Sequence, residues 1–141
     1  MSGNSVKKVL IVDDEPDVVT YLTMVLEDQG YETLGAGNAE DALAAARRAG
    51  ADLICLDIMM PKRSGLSLYR QIKQDPSLRA IPALFVSAFS KAQDFTRSRF
   101  RALISDQDIP LPEGFIEKPI EIDEFIQAVQ AIIGPGRGDV S

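Results

Sequence analysis

Three short stretches of this chain carry almost no polar residue: Val9 to Val12, Leu53 to Leu56 and, nearly so, Ile81 to Val86. A strand with one wet face alternates apolar and polar residues. An unbroken apolar run instead fits a strand covered on both faces, as in a parallel sheet. The segments between these runs carry a helical period. Val18, Leu22, Val25 and Leu26 fall on one side of a helix, with Pro16 near its start and Gly30 just past its end. Tyr31 to Ala36 is the strand that follows. Asn38 is a good N-cap for the next helix, with Asp41 three residues on; Ala42, Leu43 and Ala46 form its inner face, and Gly50 stops it. Those small alanines let the helix sit close to its neighbours. A third helix is predicted from about 65 to 74, with Leu66, Leu68 and Ile72 apolar, ending before Asp75-Pro76. The last shows Ile122, Phe125, Ile126, Val129, Ile132 and Ile133, then Gly134. Strand and helix alternate five times, which predicts an open α/β sheet.

Composition narrows the picture. The 141 residues, 45% of them hydrophobic, suit one compact domain. The net charge of −6 argues against direct binding to nucleic acid or to an anionic membrane. MSGNSVKK lacks the apolar core of a signal peptide and no run approaches a membrane span, so a cytoplasmic protein is expected. Cys55 is the single cysteine and lies in a strand-like run, where it reads as a small core residue. There is no histidine, which removes the commonest general base and zinc ligand.

In open α/β sheets, ligands bind beyond the carboxyl ends of the strands. Asp13 and Asp14 follow the first predicted strand, Asp57 the third, Ser87 the fourth and Lys118 the fifth. Right-handed crossovers bring all these ends to one edge. Taken singly, each residue has a plain reading: a helix cap, a turn residue, a solvated charge, the start of a loop. Together they place three carboxylates, a hydroxyl and an ammonium in one crevice. Clustered carboxylates need a compensating cation, and an oxygen-only donor set favours a hard ion such as Mg²⁺. A carboxylate beside Mg²⁺ can be phosphorylated, with Lys118 and Ser87 meeting the phosphoryl oxygens.

The stretches LIVDDEP, DLICLDIMMPKRSG, IPALFVSA and GFIEKPI, in that order, resemble the receiver domain of bacterial two-component response regulators. The resemblance covers nearly all of residues 7–133, leaving 1–6 as an N-terminal tail and 134–141, which includes an incidental RGD triplet, as a flexible C-terminal one. It implies a flavodoxin-like fold: a doubly wound five-stranded parallel sheet in the order 2-1-3-4-5 with helices on both faces. It implies that Asp57 is the phosphoacceptor, that Asp14 binds Mg²⁺ directly and Asp13 mainly through water, and that the Met59 backbone carbonyl completes the metal site. It further implies that Ser87 and Lys118 contact the phosphoryl group, that Lys118-Pro119 is cis, and that Phe115 is an aromatic switch coupled to Ser87. Met59 and Phe89 occupy the positions that modulate phosphoryl lifetime. Both are apolar, so slow loss of the phosphoryl group is expected.

The implied donor is a histidine kinase or phosphotransfer protein. The expected output is a protein-protein surface on an unidentified target, with monomer and phosphorylation-dependent homodimer both open. With little chain left after Gly134, a stand-alone receiver is expected. A Mg²⁺-dependent phosphatase using an aspartyl-phosphate is the rival; such enzymes commonly carry a second Asp two residues past the nucleophile, where this chain has Met59. A degenerate receiver serving only as an interaction module is a third reading. The chain departs from the family where FTRSRFRALISDQDIPLPEG replaces a short turn. Phe95, Phe100, Leu103 and Ile104 predict an amphipathic helix there, carrying Arg97, Arg99 and Arg101, before a Pro-rich loop over 106–112. A tolerated insertion and a changed partner face are both open.

Overall fold

The structure, a computed structural model, describes residues 6–58, 65–87 and 109–136, and of Ser87 the backbone only. Its elements run β1 (Lys8–Val12), α1 (Pro16–Asp28), β2 (Glu32–Ala36), α2 (Ala39–Ala49), β3 (Leu53–Leu56), α3 (Gly65–Gln74), β4 (Ala83–Ser87), β5 (Gly114–Glu117) and α4 (Ile122–Ile133). The predicted helix around 95–104 lies outside the described residues.

The strands form one parallel sheet in the order β2-β1-β3-β4-β5. Alternation along each strand divides the core in two. Leu10, Val12, Ile54, Leu56 and Phe85 face a cluster with α2 and α3 residues, including Ala42, Ala46, Leu68 and Ile72. Val9, Ile11, Leu53, Cys55, Leu84 and Val86 face the other, with Leu22 and Leu26 of α1 and Phe125 and Val129 of α4. Both faces are covered, which is why these strands read as unbroken apolar runs. Burying a side chain such as Phe125 contributes about 1.5–3 kcal/mol. Cys55 is buried as expected, and burial pushes its thiol pKa well up.

Local signals explain the helix ends. Asn38 caps α2, its Oδ1 accepting the Asp41 N–H at 2.8 Å, and Gly50 closes the helix at φ 72°, the left-handed region that suits glycine. α1 has Pro16 in its first turn and no side-chain cap. α4 is capped by Glu121, whose carboxylate accepts the Glu124 N–H at 2.9 Å.

The stretch before β5 is packed. Ile109 is buried in the α2/α3-side cluster, and the Tyr69 hydroxyl donates to the Pro110 carbonyl at 2.7 Å. Glu113 bonds Ala83 twice: its N–H donates to the Ala83 carbonyl and its carboxylate accepts the Ala83 N–H, both at 2.9 Å. Of the segment 134–141, residues 134–136 are described and rest against the α1–β2 corner. The Tyr31 hydroxyl donates to the Gly134 carbonyl at 2.5 Å, and a Cβ on Gly136 would come within 2.5 Å of the Gln29 carbonyl oxygen.

Candidate phosphoacceptor and metal site

The sheet order reverses between β1 and β3, and the chain leaves both strands into the same crevice. Asp13 directly follows β1, its N–H donating to the Ala36 carbonyl at 3.1 Å. Asp57 directly follows β3, its N–H donating to the Val12 carbonyl at 2.9 Å. The ladder therefore fixes both backbones one residue past the strands and sets both carboxylates at the sheet's carboxyl edge. Asp13 and Asp57 are buried, only 2% and 3% exposed, while Asp14 stays partly open to solvent. One carboxylate oxygen from each of Asp13, Asp14 and Asp57 can lie within 4.8 Å of the others. Three hard oxygen donors at that spacing fit a small divalent cation.

Lys118 enters from β5. Its Nζ donates to Asp13 Oδ2 at 2.8 Å, stands 3.3 Å from Glu15 Oε1 and 3.6 Å from Asp57 Oδ2. Burial pulls the ammonium's pKa down, but the hydrogen bond to Asp13 and the fields of Asp57 and Asp13 outweigh it, leaving the pKa raised. The lysine is thus held charged where negative charge collects. Lys118-Pro119 is the cis bond the resemblance implies.

The floor of the site is a close approach. Gly65 opens α3, its N–H donating to the Ile58 carbonyl at 3.2 Å. A Cβ there would lie 2.2 Å from the Asp57 carbonyl oxygen, so only glycine fits. Ser87 ends β4 in register with Glu117, which brings its backbone to the same edge. Phe115 is half-buried, pairs in register with Phe85 and packs against the α2/α3-side cluster. Met59 and Phe89 lie outside the described residues. Two contributors escaped the sequence reading. The sequence marks Gly65 only as a helix start and Glu15 only as the acid after Asp13 and Asp14; neither close approach has a local sequence signal.

A crevice of carboxylates and a lysine at the topological switch point of a 2-1-3-4-5 parallel sheet defines a flavodoxin-like α/β protein with its ligand chemistry beyond the strand ends. The family model for the response regulator receiver domain matches residues 9–130, and the chain belongs to that family. It is 34% identical over 128 residues to the polar-differentiation response regulator DivK of Brucella anthropi, covering 91% of this chain and 97% of that protein. Among solved structures, the Vibrio cholerae chemotaxis protein CheY4 superposes with a TM-score of 0.77 at 23% identity, covering 92% of this chain and all of that one. A receiver domain from Methylobacillus flagellatus gives 0.74 at 26% identity, covering 91% and 99%. The chain is therefore a phosphoacceptor receiver of two-component signalling, a family whose members work with histidine kinases or phosphotransfer proteins. No helix among the described residues is long and apolar enough to cross a membrane.

Proposed function

We propose that Asp57 is the phosphoacceptor, with Asp13, Asp14 and the Met59 carbonyl joining it to hold Mg²⁺. The observation that carries this reading is the pair of buried carboxylates, Asp13 and Asp57, flanking one ammonium. Buried carboxylates are held charged only by nearby cations and hydrogen bonds, and one lysine cannot neutralise the cluster. A bound Mg²⁺ would supply the missing charge and draw in phosphate oxygens.

The chain has no histidine, so the phosphoryl group comes from a phosphohistidine on a separate histidine kinase or phosphotransfer protein. An Asp57 oxygen attacks phosphorus in line; the new P–O bond forms as the P–N bond breaks, and the imidazole leaves with the electron pair. The Lys118 ammonium, already within 3.6 Å of Asp57, offsets charge on the phosphoryl oxygens, and the Ser87 hydroxyl hydrogen-bonds them. Ser87 and Phe115 then shift together and alter a protein-binding surface, read by a downstream protein or a second copy. Met59 and Phe89, at the positions that modulate phosphoryl lifetime in the family, are apolar and offer an attacking water no hydrogen bond, so loss of the phosphoryl group is slow. This receiver unit spans residues 7–133 and acts in the cytoplasm without contacting nucleic acid.

The test is intact mass after incubation with Mg²⁺ and acetyl phosphate. The wild type gains one phosphoryl group; Asp57→Asn and an EDTA-treated sample gain none. Equal uptake by Asp57→Asn sinks the assignment. Following the mass after donor removal checks the lifetime, and loss within seconds contradicts the role given to Met59 and Phe89.

A further inference from the structure

The third acid of the DDE run has no part in the metal cluster, yet it touches the site. Glu15 is solvent-exposed, its side chain 61% accessible, and its Oε1 stands 3.3 Å from Lys118 Nζ. Its backbone is fixed from both sides. The Glu15 N–H donates to Asp13 Oδ1 at 2.9 Å, and Pro16 opens α1 immediately after it. The carboxylate is therefore held at the rim, facing the ammonium.

Asp13 has conflicting obligations. Its Oδ2 accepts from Lys118 at 2.8 Å, its Oδ1 accepts from Glu15, and the same carboxylate belongs to the trio spaced for a divalent cation. A cation held by this trio would compete with the ammonium for Asp13 and Asp57 and repel it. Glu15 is the carboxylate beside Lys118 that does not belong to the trio.

We infer that Glu15 is a positioning residue: a second seat for the Lys118 ammonium, which lets Asp13 pass from lysine to metal while the lysine stays at the site. The inference rests on the reading of Asp13, Asp14 and Asp57 as metal ligands and adds what the lysine does when metal arrives. It also gives the exposed acid a task that solvation alone does not.

A double-mutant cycle on Mg²⁺ affinity tests it, measured calorimetrically on wild type, Glu15→Gln, Lys118→Met and the double variant, with no phosphodonor present. Glu15 makes no side-chain cap bond to α1, so its substitution leaves the helix start intact. Glu15→Gln is expected to weaken Mg²⁺ binding by roughly three- to tenfold when Lys118 is present and to have almost no effect when it is Met. An equal loss in both backgrounds means that Glu15 acts only as one more negative charge, and the inference fails. It fails equally if Glu15→Gln leaves the wild-type affinity unchanged. A wild type that binds no Mg²⁺ overturns the metal reading itself, and this inference with it.

Discussion

Lys73 and Lys118 are the same side chain in two surroundings. Lys73, on α3, is 9% exposed and donates to two backbone carbonyls, Arg79 at 3.1 Å and Ile81 at 2.6 Å, with its Nζ 5.6 Å from the centre of the Tyr69 ring. Lys118 faces three carboxylates. Burial lowers the pKa of Lys73 despite the field of Glu113; carboxylate contacts raise that of Lys118. The difference is one of supply and demand. Around Lys73 the hydrogen-bond acceptors are two neutral carbonyls, which close the turn into β4, and burial outweighs the field of Glu113. Around Lys118 negative charge exceeds positive, and the surplus is what a cation can use. A buried lysine becomes part of a reactive site through the charge of its neighbours, not through burial.

The two regions meet on α3, and the largest expected effect strikes there. Gly65→Ala would press a methyl group to 2.2 Å from the Asp57 carbonyl oxygen, at the end of the helix that carries Tyr69 and Lys73. Stability should fall by about 3 kcal/mol by urea unfolding, and phosphoryl uptake should fall with it. Wild-type behaviour in both assays would break the account of the floor.

Substituting the lysines separately sharpens the contrast. Lys118→Met should slow uptake from acetyl phosphate by roughly ten- to 100-fold in mass time courses, and it should lower the unfolding midpoint as well, because two buried carboxylates lose their cation. Lys73→Met should touch stability alone: uptake unchanged, stability lower by about 1–2 kcal/mol as two carbonyls lose a donor. The pH dependence follows from the lowered Lys73 pKa. In the window between that value and 10.5 the unfolded chain holds the proton more tightly than the folded one. The stability that Lys73 contributes is therefore present above 10.5 and lost as pH falls through the folded pKa. Wild-type stability should rise relative to Lys73→Met as pH climbs through that window. A flat difference would mean that the lysine is not desolvated.

Tyr69→Phe is the mildest change. The ring keeps its edge-on contact with Phe85, at 4.9 Å between centroids, and the bond to Pro110 is lost. A loss of about 1 kcal/mol and faster amide exchange over 109–113 are expected, with phosphoryl uptake untouched. Slower uptake would tie this strap to the site.

The contrast also marks what a sequence reader can see. The inner strands β1 and β3 were legible because both faces are buried, so apolar runs such as LIV and LICL announce themselves and the acids that end them. Asp13, Asp57 and Lys118 were legible together because parallel strands share a carboxyl edge, and topology converts separate positions into neighbours. Lys73 was not legible. On the sequence it is one polar residue among QIKQ, and only the fold brings the Arg79 and Ile81 carbonyls over it. Tyr69 with Pro110, and Glu113 with Ala83, escaped for the same reason: each bond joins segments far apart in the chain with no motif at either end. Glu121 as a helix cap went unseen because glutamate is not a favoured residue there.

The measurement that tests the central claim most directly locates the phosphoryl group. The acetyl-phosphate-treated protein is reduced with borohydride, which converts an acyl phosphate on aspartate to homoserine, and the peptides are sequenced by mass spectrometry. The account predicts homoserine at residue 57 alone. Homoserine at 13 or 14, or phosphate retained on a hydroxyl side chain after reduction, would contradict it.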